Sequence, residues 1–288
     1  MAAGPAALVG RSRVALRIVR IARFSAPDQT PRYGVIQGEP GAPDAVITEL
    51  AGFPLPPLEL TATSHQLSQV RLLAPVVGSK IVAVGKNYAD HVREMGGDAP
   101  PADPVLFLKP STSVIGPGDA ITLPALSNEV HHEAELAVVI GGLVRRVPVE
   151  RALDAVLGYT CANDVTARDL QRIDGQWTRA KGFDTFCPLG PWIETELDPS
   201  RLALSCRVDG ELRQSANTAD LLRGVAELIA YVSAVMTLLP GDVLLTGTPA
   251  GVGPIRAGNQ VEVSIEGIGT LSNTVVGGAL VGDGLVTL

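Results

Sequence analysis

Residues 133–142, Glu-Ala-Glu-Leu-Ala-Val-Val-Ile-Gly-Gly, constrain the fold more than any other stretch of this chain. Leu136 to Ile140 is apolar at both parities and closed by two glycines. That pattern predicts a strand from Glu133 to Ile140 that is covered on both faces. Side chains two apart on a strand share a face, so Glu133 and Glu135 should point the same way. Two carboxylates held that close repel unless a proton or a cation sits between them. Asp164, which follows the apolar run Tyr159-Thr160-Cys161-Ala162-Asn163, would bring a third carboxylate and complete an all-oxygen site. His131 has the parity of the two glutamates and is a candidate fourth ligand; His132 has the opposite parity and is expected to point away. A solvated strand edge is the alternative reading of the glutamate pair, and the residues alone leave both open.

The size of the chain, 288 residues, allows one large domain or a main domain with a small satellite. Hydrophobic residues make up 46% and charged residues 18%, the balance of an ordinary globular chain. A net charge of −7 and only 4% aromatic residues argue against nucleic-acid binding, since neither a basic stripe nor a stacking platform is present. No stretch approaches the ~18 apolar residues of a membrane span, so no membrane partner is expected. Three cysteines (Cys161, Cys187, Cys206) without CxxC spacing point to a reducing compartment, with the cytoplasm as the default. The first 24 residues hold five arginines and no acid. They read as a first strand, Val14 to Ile21, behind a disordered extension at residues 1–13, in preference to a targeting segment.

Short strand-like runs at Val14–Ile21, Tyr33–Gln37 and Val46–Leu50 mark residues 14–75 as a small N-terminal β domain. Residues 76–288 form the main body, with strands expected at Ile81–Val84, Val105–Leu108, Leu136–Ile140, Val243–Thr246 and Val261–Ile265. Helices are expected at Ala89–Met95, Val147–Leu157 and, from the spacing of Leu221, Leu222, Val225, Leu228, Ile229, Val232 and Val235, at Thr218–Leu238. The fold class is therefore mostly β with inserted helices (α+β), without strict βαβ alternation.

Four groups of residues bear on chemistry. Glu133, Glu135 and Asp164 offer hard oxygen ligands, which favour Mg²⁺ or Mn²⁺, with Ca²⁺ as a substitute, over Zn²⁺. His91 and Glu94 are three apart on the Ala89 helix and can pair; an imidazole oriented by a carboxylate suits a general base, although a surface His beside a helical acid has the same spacing. Lys181 can neutralise a developing oxyanion, and Arg168 with Gln171 can bind a substrate carboxylate; all three are equally readable as surface residues. Thr246-Gly247-Thr248-Pro249-Ala250-Gly251-Val252-Gly253 can expose backbone N–H groups in a tight loop, or be an ordinary turn. It is neither a Walker A loop nor a dinucleotide fingerprint.

The order of these segments is more specific than any one of them. Val84-Gly85-Lys86-Asn87-Tyr88-Ala89-Asp90-His91, Phe107-Leu108-Lys109-Pro110, Glu133-x-Glu135-Leu136 and Asn163-Asp164-Val165-Thr166-Ala167-Arg168-Asp169-Leu170-Gln171 come first. Lys181-Gly182-Phe183-Asp184 and Pro240-Gly241-Asp242 through Thr246-Gly247-Thr248-Pro249 follow. Over residues 75 to 280 this set resembles the fumarylacetoacetate hydrolase family, and the preceding region resembles the small β domain that many members carry. The resemblance implies a mixed β-roll catalytic domain in a homodimer, with Mg²⁺ or Mn²⁺ held by Glu133, Glu135 and Asp164. It implies His91 and Glu94 as a water-activating pair on a lid, Lys181 as an oxyanion or enolate stabiliser, and Gln171 and Thr248 as substrate contacts. It also implies a small-molecule 2-oxo acid substrate, with acylpyruvate hydrolysis as the expected reaction. Isomerisation of hydroxymuconate-type intermediates or oxaloacetate decarboxylation on the same site is the runner-up, and a non-catalytic carboxylate-binding protein the third reading. His132, where an aromatic residue is frequent, and Asn259, where Asp is frequent, depart from the family pattern.

Overall fold

Strand-forming runs of Val, Ile and Leu assemble into one twelve-stranded sheet and two smaller sheets in a computed structural model that describes residues 20–26 and 30–278. The expected extension at 1–13, most of the expected strand Val14–Ile21 and the last ten residues lie outside the described residues. The long path of the large sheet runs through Leu60–Gln66, Val46–Leu50, Pro31–Gln37, Arg20–Ser25, Cys187–Glu194, Val156–Asn163, Ala134–Ile140, Val243–Leu245, Ile81–Gly85 and Val105–Lys109. Arg20–Ser25 pairs with Pro31–Gln37 on one side and with Cys187–Glu194 on the other, so the N-terminal strands continue the sheet of the main body. The five-stranded sheet, Glu211–Asn217, Ala203–Val208, Gln260–Ile265, Gly269–Gly277 and Ile121–Leu123, packs beside it.

The strand Ala134–Ile140 is buried along its whole length. Leu136, Val138 and Ile140 join one hydrophobic cluster, and Ala137 and Val139 join a second on the opposite face. Its neighbour Val243–Leu245 divides the same way, with Leu244 on one face and Val243 and Leu245 on the other. Apolar residues at both parities are thus explained by two covered faces; each such Val, Leu or Ile contributes about 1.5–3 kcal/mol by burial.

Three expected elements differ from those observed. The strand does not begin at Glu133: Val130–His132 belongs to a separate three-stranded sheet, and Glu133 is the break between it and Ala134–Ile140. The segment 147–157 forms a 3-10 helix, Val149–Ala155, that passes directly into the strand Val156–Asn163. The long helix starts late, as Val225–Val235, with Glu227 accepting from the Gly224 N–H at 2.9 Å. Leu221 and Leu222 have helical spacing but lie in extended chain, where Leu222 N–H donates to Asn87 O. No helix among the described residues is long and apolar enough to cross a membrane.

Strand direction gathers the site. Ala134–Ile140 runs antiparallel to both Val156–Asn163 and Val243–Leu245, and the latter runs parallel to Ile81–Gly85. The start of the first strand and the ends of the other three therefore meet at one end of the sheet. Glu133 and Glu135, Asp164, Gly247 and Thr248, and Lys86 all project from that end.

Candidate active site

The break at Glu133 is closed by side chains that replace the sheet ladder. Asn163 Oδ1 accepts the Glu133 N–H at 2.9 Å, and Glu133 O accepts the Asp164 N–H at 2.8 Å. Gly247 N–H donates to Glu135 Oε2 at 2.6 Å from a backbone with φ +103°, and a Cβ there would lie 2.7 Å from Asn87 Cβ. Glycine is therefore required at this position both by conformation and by space.

Glu133, Glu135 and Asp164 are buried and offer carboxylate oxygens within 4.8 Å of one another. Lys181 Nζ donates to Glu133 Oε2 at 2.6 Å and to Asp164 Oδ2 at 2.7 Å. Lys109 Nζ donates to Asp164 Oδ1 at 2.6 Å and to the Lys181 carbonyl. Arg168 donates to Glu133 Oε1 and, at 2.7 Å, to Gln171 Oε1. Burial alone would raise the Glu133 carboxyl, but Lys181 and Arg168 outweigh it and hold the group well below the usual carboxylate range. The same balance keeps Lys181 protonated: burial opposes its charge, and Asp164 and Glu133 more than restore it. Glu135 is the opposite case. Burial first, then the charges of Asp164 and Glu133, push its carboxyl well above the usual range, and among the described residues no cation bonds it.

This donor set fits a divalent cation. It contains three converging hard oxygens, and Glu135, without a cationic partner among the described residues, is pushed toward protonation by burial and by its two acidic neighbours. A cation bound by all three would relieve that repulsion.

The three carboxylates line a cavity of about 180 Å³ together with His91, Arg168, Gln171, Lys181 and Thr248. Eight of the ten residues singled out from the sequence thus share one cavity; Glu94 stands behind His91, and His131 lies apart from the triad. Glu94 Oε2 lies 3.0 Å from His91 Nδ1, and its other oxygen accepts the Gly251 N–H at 2.9 Å. One carboxylate therefore orients the imidazole and ties the six-residue helix Ala89–Glu94 to the Thr246–Gly253 loop.

Several residues have surroundings that the sequence did not disclose. Arg168 and Lys181 are buried partners of the triad instead of surface residues. Thr248 lines the cavity, yet its hydroxyl also donates to Ala134 O at 2.9 Å and accepts from Gln214 Nε2 at 2.8 Å. His131 does not join the carboxylates: the strand break resets the alternation, and its Nε2 lies 3.2 Å from Glu129. His132, expected to point away, is buried with Nδ1 3.0 Å from Gln214 Oε1, and burial lowers its pKa to about 4. Gln214 also accepts the Ala134 N–H at 3.0 Å, so it links both sides of the break to the Thr248 loop. Asn259 is a turn residue, with its side chain bonded to Asp209 and to Arg256 N–H. Lys109 and Gln214 were missed as site residues. The only sequence signal for Lys109 is a lysine closing an apolar run before Pro110; Gln214 has none, because its role depends on the second sheet lying against the first.

Residues 80–276 match the family model described as fumarylacetoacetate (FAA) hydrolase C-terminal, and residues 19–75 match one described as Rv2993c-like, N-terminal. The chain belongs to the fumarylacetoacetate hydrolase family. A crystal structure of 5-carboxymethyl-2-hydroxymuconate delta-isomerase from Mycobacterium smegmatis is 54% identical, with a TM-score of 0.85 over 90% of this chain and 100% of that one. The mitochondrial oxaloacetate tautomerase Fahd2a of Rattus norvegicus is 47% identical over 221 residues, 73% of this chain and 70% of that protein. Maleylpyruvate hydrolase from Sphingobium, in complex with manganese(II) and pyruvate, is 35% identical, with a TM-score of 0.72 over 90% of this chain and 100% of that one. The family thus includes isomerases, tautomerases and hydrolases, and this chain has a buried acidic triad able to hold a divalent metal.

Proposed function

We propose that this chain is a Mg²⁺- or Mn²⁺-dependent hydrolase that cleaves a carbon–carbon bond in an acylpyruvate-type 2-oxo acid. The observation that carries the reading is the His91–Glu94 pair on the same cavity as Glu133, Glu135 and Asp164. A base held by a carboxylate then stands beside a site able to take the 2-oxo acid end of a substrate. The ion, held by the three carboxylates, would supply positive charge where the enolate develops.

The chain's own residues divide the remaining work. His91 takes a proton from water, whose oxygen attacks the carbonyl distal to the 2-oxo acid. Glu94 holds the imidazole through Nδ1, leaving Nε2 as the acceptor. The bond between that carbonyl carbon and the methylene carbon breaks, and its electron pair passes to the pyruvate fragment as an enolate. Lys181 opposes the developing charge with its ammonium, while Thr248 and Gln171 contact the substrate. The proton on His91 returns to the enolate carbon, giving pyruvate and a carboxylic acid.

A second reading uses the same base on carbon instead of on water. His91 would remove a proton next to the 2-oxo group and return it elsewhere, giving tautomerisation or isomerisation. The relatives named as a tautomerase and an isomerase, both more similar than the hydrolase, favour it. Incubation with an acylpyruvate and Mn²⁺, followed by NMR of the products, separates the two. Two fragments are expected; one rearranged product would transfer the assignment to the second reading. No turnover on a 2-oxo acid panel with either metal would overturn both.

A further inference from the structure

Glu211–Asn217 is the edge strand of the five-stranded sheet, and Gln214 is its one buried residue. A buried amide is costly unless each of its polar atoms finds a partner. Here each does. Nε2 donates to Thr248 Oγ1 at 2.8 Å and to Pro249 O at 2.9 Å, while Oε1 accepts from the Ala134 N–H and from His132 Nδ1, both at 3.0 Å. Ala134 N–H can only donate and Pro249 O can only accept, so the amide has one possible orientation. His132 therefore carries its proton on Nδ1.

The two halves of this amide reach different structures. Oε1 holds the residues on either side of Glu133, and Nε2 holds the loop that follows Val243–Leu245. That loop serves both walls of the cavity. Gly247 N–H donates to Glu135, and further along Gly251 N–H donates to Glu94 behind His91. Near its start the loop is fixed to the large sheet, with Thr246 bonded to Leu136 O and the Thr248 hydroxyl to Ala134 O. Beyond Thr248 the bond from Gln214 to Pro249 O takes over, and the edge strand itself lies against Gly251. A Cβ on Gly251 would sit 2.1 Å from Arg213 O, and its φ is +99°. The second sheet thus sets where the Gly251 N–H stands, and with it Glu94.

We propose that Gln214 is a positioning residue for the reaction. It fixes the Thr246–Gly253 loop against the break at Glu133, so that Glu135 in the metal triad and Glu94 behind the base keep their places relative to each other. Gln214 is not among the residues that line the cavity, so it acts through these two carboxylates and not on the substrate. The proposal rests on the reading of the triad as a metal site and of His91 with Glu94 as the base, but not on which reaction follows. Partners of this kind, one step removed from a metal, commonly govern its affinity and the alignment of the reacting groups.

The test uses the full chain with Gln214→Met, which keeps the volume and removes all four bonds. Val261→Ala, a core truncation two strands away in the same sheet, is the control for lost stability. Gln214→Met should bind Mn²⁺ about tenfold more weakly by calorimetry. At saturating Mn²⁺ it should lower kcat about tenfold on whichever 2-oxo acid wild type turns over, with a smaller change in KM. Val261→Ala should do neither. In a Glu94→Ala background, Gln214→Met should cost less than about twofold in further turnover, because the residue it acts through is gone, while the Mn²⁺ loss persists. Equal losses of kcat in the two backgrounds, or matching losses in Val261→Ala, would show a merely structural glutamine and overturn the proposal, as would wild-type values in Gln214→Met. If Gln214→Met does not fold, Gln214→Glu, which keeps the shape and the accepted bonds, carries the same comparison. If wild type turns over no 2-oxo acid, both readings of the reaction fail by themselves. The Mn²⁺ affinities of Gln214→Met and Val261→Ala then decide the role of Gln214.

Discussion

The two walls of the cavity are built on opposite principles. The carboxylate wall stands on strands buried on both faces, and its charges are cross-braced by Lys109, Lys181 and Arg168 with almost no solvent access. The wall carrying His91 is a six-residue helix whose last residue, Glu94, fastens it through one backbone N–H of the neighbouring loop. The first wall is rigid because breaking one ion pair leaves an uncompensated buried charge. The second is held at its two ends, by the Asn87 side chain before the helix and by Glu94 at its close. In the reaction proposed above, the carboxylate wall places the substrate's charge and the His91 wall delivers the proton.

Asp164→Ala should break the contrast most severely. It strands Lys109 in a buried site and leaves Lys181 with Glu133 alone, and loss of one partner of a buried pair costs about 3–5 kcal/mol. Chemical denaturation should register that loss, and Mn²⁺ binding should disappear in calorimetry. His91→Ala should lower turnover by about 10²–10⁴-fold. It should leave Mn²⁺ affinity within about twofold of wild type, since no bond from the carboxylate wall reaches that side chain.

A pH effect separates the walls further. His132, buried behind the carboxylate wall, has a folded pKa of about 4 against 6.5 unfolded. Its folded value is the lower, so the unfolded chain takes up the proton first as pH falls. Stability is therefore fully present above about 6.5 and is lost as pH drops toward 4, by up to about 3 kcal/mol. Denaturation midpoints at pH 7.5 and 5 should converge in His132→Asn relative to wild type. Glu94→Gln should give the smallest effect, with turnover down about tenfold and stability changed by about 1 kcal/mol or less, because the amide oxygen can still accept from Gly251.

The same division explains what could be read from the sequence. The strands of the rigid wall were legible because Leu136 to Ile140 must be apolar at both parities to lie between two clusters. Glu133, Glu135 and Asp164 stood out beside such runs, but a solvated edge fitted the residues equally well, and the ordered motifs around them singled them out as a ligand set. Their bracing was not legible: Lys109 approaches Asp164 from 55 residues away, and Gln214 approaches Ala134 from 80. The placement of His131 failed because parity counting assumes an unbroken strand, and the Asn163 side chain stabilises a break at Glu133. The helix over 218–238 was drawn too long because Leu221 and Leu222 keep helical spacing while tertiary contacts to Asn87 and Tyr88 hold them extended. Local periodicity reports burial; it does not report which partner does the burying.

The central claim is that the carboxylate wall holds the metal and His91 moves the proton. Calorimetric titration of Mn²⁺ into His91→Ala, with 2-oxo acid turnover measured on the same sample, tests it directly. The account predicts an unchanged Mn²⁺ affinity and turnover reduced by about 10²-fold or more. Turnover at the wild-type rate, or loss of Mn²⁺ binding together with activity, would contradict it.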